Sequence, residues 1–303
     1  MSLIGRLRGN GPSGYGYGST AEDVTQGLDL RGQNILITGC NSGLGLETAR
    51  VLSLRGARVL GAARTVDKAR AALSGLPGEA VPLACELAEP DSIRACAKDV
   101  RALGIELSAI VCNAGIMAPP KLLRAHGYEL QFFTNHIGHF VLVNELLGTL
   151  TATGRVVSVS SIAHRAAPRG GIQFDNLSGE RGYGPWTAYG QSKLANILFA
   201  KQLARRFAGT QKTANAIHPG VIGTGLARQS RLTELGYALM SPALKSIPEG
   251  AATQTYVAVH PAAANVTGEF FANSNVTQPR ADANDVALAE RLWTESEKIA
   301  ASL

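Results

Sequence analysis

The stretch Asn34-Ile-Leu-Ile-Thr-Gly-Cys-Asn-Ser-Gly-Leu-Gly-Leu-Glu-Thr-Ala-Arg-Val-Leu-Ser-Leu54 decides the fold. Its first five residues are a short apolar run, the pattern of a buried strand, and residues 46–54 carry apolar side chains at helical spacing. Between them Thr38-Gly-Cys-Asn-Ser-Gly-Leu-Gly45 allows a tight turn. A strand, a glycine turn and a helix N-terminus in this order form an anion cradle, because free amides and the helix dipole favour negative charge there. Ala57-Arg-Val-Leu-Gly-Ala-Ala63 reads as the next strand and completes a strand-helix-strand unit. Strands and helices alternate from residue 34 to about 261. That alternation predicts one α/β domain, a doubly wound, mainly parallel sheet with helices on both faces.

Composition agrees. The chain has 303 residues, 45% of them hydrophobic and 17% charged, enough for a full core and too apolar for global disorder. The formal charge of +6 is spread along the chain without a basic run, which argues against a nucleic-acid partner. Residues 1–30 read as a glycine-rich arm, flexible to about residue 20, in which Ser19-Thr-Ala-Glu22 resembles a capping box that starts a short helix through Gln26. Residues 31–303 form the domain. The glycine-rich stretch 163–187 reads as a loop beside the site, and the last helix, about 282–301, as an amphipathic element carrying Val286, Leu288, Leu292 and Ile299. The four cysteines form no C-x-x-C pair, so buried thiols in a reducing compartment, and hence a cytoplasmic protein, are expected. Cys40, inside the turn, is the one to test by alkylation. No stretch is long and apolar enough for a membrane span or anchor, and no metal-ligand cluster is visible.

A second pattern carries chemistry. In Tyr189-Gly-Gln-Ser-Lys193 the phenol and the ammonium lie four residues apart, on one face of a helix. A nearby cation lowers a tyrosine pKa and makes the phenol a usable acid or base. Taken alone, this spacing also occurs on solvated helices.

The order of motifs carries more. Thr38-Gly39-x-x-x-Gly43-x-Gly45, Asn113-Ala-Gly115, Asn135 in Asn-His-Ile-Gly-His-Phe140, Ser160-Ser161, Tyr189 with Lys193, and His218-Pro-Gly220 follow the sequence of the short-chain dehydrogenase/reductase family. Over nearly the whole chain the sequence resembles that family. The Asn-His-x-Gly-His-Phe block and the segment from Tyr189 to Phe199 look most like its retinol dehydrogenase and WW-domain oxidoreductase branch.

The resemblance implies a single-domain Rossmann fold and an oxidoreductase. Tyr189 would exchange a proton with the substrate oxygen and Ser161 would hydrogen-bond that oxygen. Lys193 would lower the tyrosine pKa and hold the nicotinamide ribose, and Asn135 would hold a water that links Lys193 to solvent. Ser160 competes with Ser161, and family spacing selects the second. His136 and His139 are left to packing. The cofactor residues carried over are Gly39, Asn41, Ser42, Gly43, Leu44 and Gly45 in the turn, Arg64 after the second strand, and Glu86 and Leu87 after the third. Asn113, Ala114 and Gly115, then Pro219, Gly220, Val221 and Thr224, complete the set with Tyr189 and Lys193. Ala62-Ala63-Arg64-Thr65 has no carboxylate where NAD enzymes place one, so NADP(H) is expected, with Arg64 on the extra phosphate and Thr65 helping. Glu86 departs from the family's aspartate.

The segment 225–248 is rich in leucine, with Tyr237 and Met240, and reads as an apolar lid over a small lipophilic ketone, aldehyde or alcohol. Trp186, Tyr183 and Met117 are candidates for the pocket wall. A homodimer or homotetramer is expected by family habit. Two other readings stay open: a non-catalytic NADP sensor or scaffold, and an epimerase or dehydratase that uses the nucleotide transiently.

Overall fold

The computed structural model describes residues 9–222 and 244–303. The first half runs β1 (Asn34–Thr38), α1 (Gly43–Leu54), β2 (Arg58–Ala63), α2 (Val66–Leu73), β3 (Ala80–Ala84), α3 (Pro90–Ala102) and β4 (Leu107–Cys112), then a hairpin of β5 (Arg124–Ala125) and β6 (Tyr128–Glu129). The second half follows with α4 (Gly138–Leu146), β7 (Leu150–Val159), α5 (Pro185–Arg206), β8 (Thr213–His218), α6 (Ile247–Val259), β9 (Phe270–Ala272), β10 (Asn275–Val276) and α7 (Val286–Ala301). The main sheet has the order β10-β9-β8-β7-β4-β1-β2-β3. Only β10 with β9 is antiparallel; the other neighbours in the sheet are parallel. Strand order reverses between β1 and β4, and the crevice at their carboxyl ends is where such sheets bind ligands.

Successive side chains of a strand point to opposite faces, and here each face has its own core. Ile35 and Ile37 of β1 join Val59, Val111 and Leu52, whereas Leu36 joins Leu60, Ile110 and Val156. Covering each fully buried branched side chain is worth about 1.5–3 kcal/mol, so a one-residue slip of β1 would expose one set and bury the wrong one. The second core also takes Phe140, Phe199 and Trp293, and the Arg206 guanidinium sits 4.1 Å over the Trp293 ring. On α7 the buried stripe is Ala289, Leu292, Trp293, Ser296 and Ile299, while Val286, expected to pack, is exposed at the first turn.

In the described part of the arm expected to be flexible, residues 13–15 contact the body. Ser13 N–H donates to Asn275 Oδ1 at 2.9 Å, Asn275 Nδ2 donates to the Tyr15 carbonyl at 2.9 Å, and Tyr15 meets Tyr256 and His260 edge-on. Its glycines follow the contour of the body, and its aromatic rings fasten it. The expected capping box sits one residue later: Thr20 and Asp23 exchange hydrogen bonds at 3.1 and 2.8 Å, and the helix is a single 3-10 turn, Asp23–Thr25.

The loop expected over 163–187 ends earlier, at Gly184 where α5 begins, and it holds two short 3-10 turns, Ile162–Ala166 and Phe174–Asn176. Gly190 lets α5 press on it, since a Cβ there would lie 2.6 Å from the Ala163 carbonyl oxygen. Arg280 then bonds the carbonyls of Ala167 and Pro168 at 2.8 and 3.1 Å. No helix among the described residues is long and apolar enough to cross a membrane.

Where α4 begins, a Cβ on Gly138 would stand 2.4 Å from the Leu87 carbonyl oxygen. Gly138→Ala should therefore cost about 1–3 kcal/mol, read as a lower Tm in thermal denaturation. An unchanged Tm would mean that the Leu87 backbone yields freely.

Candidate active site

The glycine turn closes onto the end of β4. Gly39 and Gly43 adopt φ of 70° and 54°, which L side chains resist. A Cβ on Gly45 would lie 2.2 Å from the Gly39 carbonyl oxygen and 2.5 Å from Asn113 Nδ2. Asn113 Nδ2 donates to the Thr38 carbonyl at 2.9 Å, and the Asn113 and Ala114 amides both donate to Thr38 Oγ1 at 3.0 Å. Ser42 caps α1 without a side-chain bond, so the first amides of the helix are left for an anion. Asn41 and Ser42 are exposed beside them, and Leu44 packs toward α6. Cys40 is buried and its thiol is pushed up to about 11 by burial, which makes it a poor nucleophile and removes it as an alkylation site.

Arg64 follows β2, is exposed, and among the described residues has no hydrogen bond or ion pair. Thr65 is committed as the cap of α2, its oxygen accepting from the Lys68 amide at 3.4 Å. Glu86 folds one carboxylate oxygen back to the Ala88 amide at 3.3 Å, and Leu87 is buried under Gly138. Gly220 has φ of 101°, and its open face is filled by the Lys245 stem, which a Cβ would approach to 2.6 Å. Pro219 precedes it and Val221 lies exposed beyond it; Thr224 and the expected lid up to residue 243 lie outside the described residues.

The expected catalytic side chains come from three parts of the chain. Lys193 is buried in α5 and donates to the Val159 carbonyl at 3.0 Å, with Nζ 5.6 Å from the centre of the Tyr189 ring. The Ser161 hydroxyl lies beside the Tyr189 phenol and acts to lower its pKa, and its oxygen accepts from the Ala163 amide at 3.2 Å. The Ser160 hydroxyl is engaged elsewhere, donating to the Lys193 carbonyl at 2.7 Å. Asn135 sits in the π-turn Phe133–Ile137. Its Oδ1 accepts from the Ile116 amide at 2.8 Å, and Nδ2 donates to the Ile116 carbonyl and to Ser192 Oγ at 3.0 and 2.9 Å. Both amide hydrogens are thus used by protein partners, which leaves a relay water only one Oδ1 lone pair on this side chain. A Cβ on Gly115 would lie 2.9 Å from Asn135 Oδ1 and 3.4 Å from Lys193 Nζ, so a glycine there keeps the two groups in place.

The electrostatics correct one expectation. Burial pushes the Tyr189 phenol up to about 12, offset in part by the Ser161 hydrogen bond, and burial pushes Lys193 down to about 8. The ammonium is turned to Val159, and desolvation wins over attraction at this separation. The Tyr189 phenol is therefore protonated at pH 7.

Gln254 was not visible as a site residue. From α6 its Nε2 reaches Thr48 Oγ1 at 2.6 Å and Asn113 Oδ1 at 3.2 Å, bracing the crevice across 141 residues of sequence. Lys245 was missed too. It is 2% exposed, its Nζ lies 4.8 Å from the centre of the Tyr17 ring, and burial lowers it to about 8. Of the proposed pocket wall, Trp186 is 58% exposed and meets Tyr189 edge-on at 6.1 Å, Met117 is half-buried, and the Tyr183 hydroxyl is tied to the Pro119 carbonyl at 2.6 Å. No group of three or more His, Cys, Asp or Glu that could hold a metal occurs among the described residues.

Comparison with known proteins agrees with this geometry. Residues 33–235 match the family model described as short chain dehydrogenase. Short-chain dehydrogenase TIC 32 A, chloroplastic, of Brassica napus is 43% identical, with all of both chains covered. Retinol dehydrogenase 12 of Bos taurus is 39% identical over 89% of this chain and 86% of its own. A solved structure from Mycobacterium paratuberculosis, a putative uncharacterized protein, has a TM-score of 0.76 and 33% identity over 91% of this chain and 96% of its own. A short chain dehydrogenase from Burkholderia cenocepacia in complex with NADP shares the fold at a TM-score of 0.65, with 24% identity over 80% of this chain and 96% of its own.

The cytoplasmic expectation is overturned here: TIC 32 A and its B. napus counterpart TIC 32 B, both 43% identical over the full length, are chloroplastic. The four cysteines are free and buried, and burial alone accounts for unpaired thiols in any compartment. By model match, full-length relatives and fold, this chain belongs to the short-chain dehydrogenase family and is an oxidoreductase of that family.

Proposed function

We propose that the protein is an NADP(H)-dependent oxidoreductase that interconverts a lipophilic ketone or aldehyde and the corresponding alcohol. The observation that carries this reading is the buried Lys193 ammonium, 5.6 Å from the centre of the Tyr189 ring, on the same sheet edge as a glycine cradle. The cradle suits a dinucleotide: close-approach glycines, unspent helix amides, and Arg64 free to meet a phosphate. A bound nicotinamide would supply or accept the hydride.

In reduction, Ser161 holds the carbonyl oxygen and Tyr189 gives it a proton, which leaves a phenolate. Lys193 lies close enough to turn from the Val159 carbonyl toward that new charge. Oxidation runs the same transfers backward. Three exposed apolar side chains, Ile162, Trp186 and Val221, lie within three residues of Ser161, Tyr189 and Gly220, and they support an apolar substrate.

The first test follows nicotinamide absorbance with NADPH and NADH in parallel across apolar ketones and aldehydes. Substrate-dependent oxidation that is faster with NADPH is expected; binding of NADPH with no turnover on any of them would favour a sensor. Tyr189→Phe should keep NADPH binding and lose about 10²- to 10⁴-fold in kcat, and a variant near wild-type turnover would remove Tyr189 as the acid. Arg64→Ala should weaken NADPH by roughly 10- to 100-fold and hardly alter NADH, whereas equal losses would assign Arg64 to the fold. Because Lys193 is charged below about 8 and neutral above it, kcat/KM for reduction should decline as pH rises through that value. A profile level to pH 10 would contradict a role for its charge.

A further inference from the structure

His139, in the first turn of α4, is 2% exposed and has both ring nitrogens engaged. Nδ1 lies 3.0 Å from the Asn135 carbonyl oxygen, and Nε2 lies 2.8 Å from Thr38 Oγ1. A carbonyl only accepts, so Nδ1 carries the hydrogen. Burial lowers this imidazole to about 4, so the ring is neutral and Nε2 is the acceptor. The hydrogen on that side must come from the Thr38 hydroxyl, whose two lone pairs already receive the Asn113 and Ala114 amides. The Val111 carbonyl also lies 3.5 Å from Thr38 Oγ1, and the 2.8 Å contact to Nε2 is the closer acceptor for its hydrogen.

The series continues beyond Asn135. Its Nδ2 donates to Ser192 Oγ at 2.9 Å, and the Ser192 hydroxyl donates to the Tyr189 carbonyl at 2.8 Å. One buried run of hydrogen bonds thus joins the loop at the end of β4 to Thr38, His139, the π-turn and the turn of α5 that bears Tyr189. The π-turn loosens the regular backbone ladder around Asn135, so a side-chain donor on its carbonyl fixes that segment.

We propose that His139 is a positioning residue that couples occupancy of the dinucleotide cradle to the alignment of Asn135 and Tyr189. The inference rests on the oxidoreductase reading for its catalytic half only. A dinucleotide pressing on Asn113 and Ala114 settles the Thr38 hydroxyl, and His139 carries that order to the catalytic helix. Coupling of this kind is reciprocal, so what disturbs the far end also weakens binding at the cradle.

The test is a double-mutant cycle of Thr38→Val and His139→Phe, with Thr38→Ser as the conservative variant. Three readouts are taken on the full chain: the NADPH dissociation constant, kcat and KM for one carbonyl substrate, and Tm. Each single substitution should lower kcat by about tenfold, with KM nearly unchanged and NADPH binding weakened. The double variant should be no worse than the poorer single one, and Thr38→Ser should recover most of the loss. Additive losses in both kcat and NADPH affinity would overturn the coupling. If His139→Phe fails to fold, the Thr38 pair decides: wild-type kcat and NADPH affinity in Thr38→Val, or Thr38→Ser as impaired as Thr38→Val, would overturn it. The NADPH titration needs no turnover, which separates failure of this inference from failure of the oxidoreductase reading.

Discussion

Two backbone amides, from Asn113 and Ala114, converge on a single hydroxyl oxygen at the end of the central strand, and the working edge of the molecule is organised around that point. Thr38 closes β1 where the sheet reverses its strand order. Its bonds hold the β4 loop against the glycine turn tightly enough that Gly45 has no room for a side chain. The carboxyl ends of parallel strands leave amides and carbonyls without ladder partners. Here the Thr38 hydroxyl takes the Asn113 and Ala114 amides, the Asn113 side chain takes the Thr38 carbonyl and is braced by Gln254, and the amides at the start of α1 are left for a ligand.

Burial sets the chemistry on the other side of the crevice. Lys193 sits where a charge is costly, and Tyr189 sits where a phenolate is costly, so the resting pair is closer to neutral than the same pair in water. In the proposed reduction the cost of a phenolate there would be offset by the Lys193 charge, since low-dielectric surroundings strengthen their attraction. Gly115, with no side chain to intrude, preserves the spacing between Lys193 and Asn135 on which this depends.

Much of this was legible in the sequence because it is local. The strand, glycine turn and helix of residues 34–54 lie in one continuous stretch, and the Tyr189–Lys193 spacing needs only helical geometry. Family spacing selects Ser161 over Ser160, but that the Ser160 hydroxyl is engaged by the Lys193 carbonyl thirty-three residues away is nothing a local motif encodes. What was not legible depends on distant partners or on the balance of opposing terms. Gln254 reaches Asn113 only after the sheet has formed, and no short motif marks it. The direction of the Tyr189 shift turns on where one ammonium points, which spacing does not encode. The arm was read from its glycines, whereas Tyr15 and Asn275, 260 residues apart, fasten it. The capping box moved by one residue because Thr20 and Asp23 form the same reciprocal pair as Ser19 and Glu22 would.

The fastening of that arm has a consequence for the order in which the protein is made. Ala21 bonds the Pro248 carbonyl, Tyr15 packs on Tyr256 and His260, and Ser13 bonds Asn275. All of these partners are synthesised more than 220 residues after the arm itself. The arm therefore waits for partners made long after it, and it reaches its place only once α6, β9 and β10 are available to receive it.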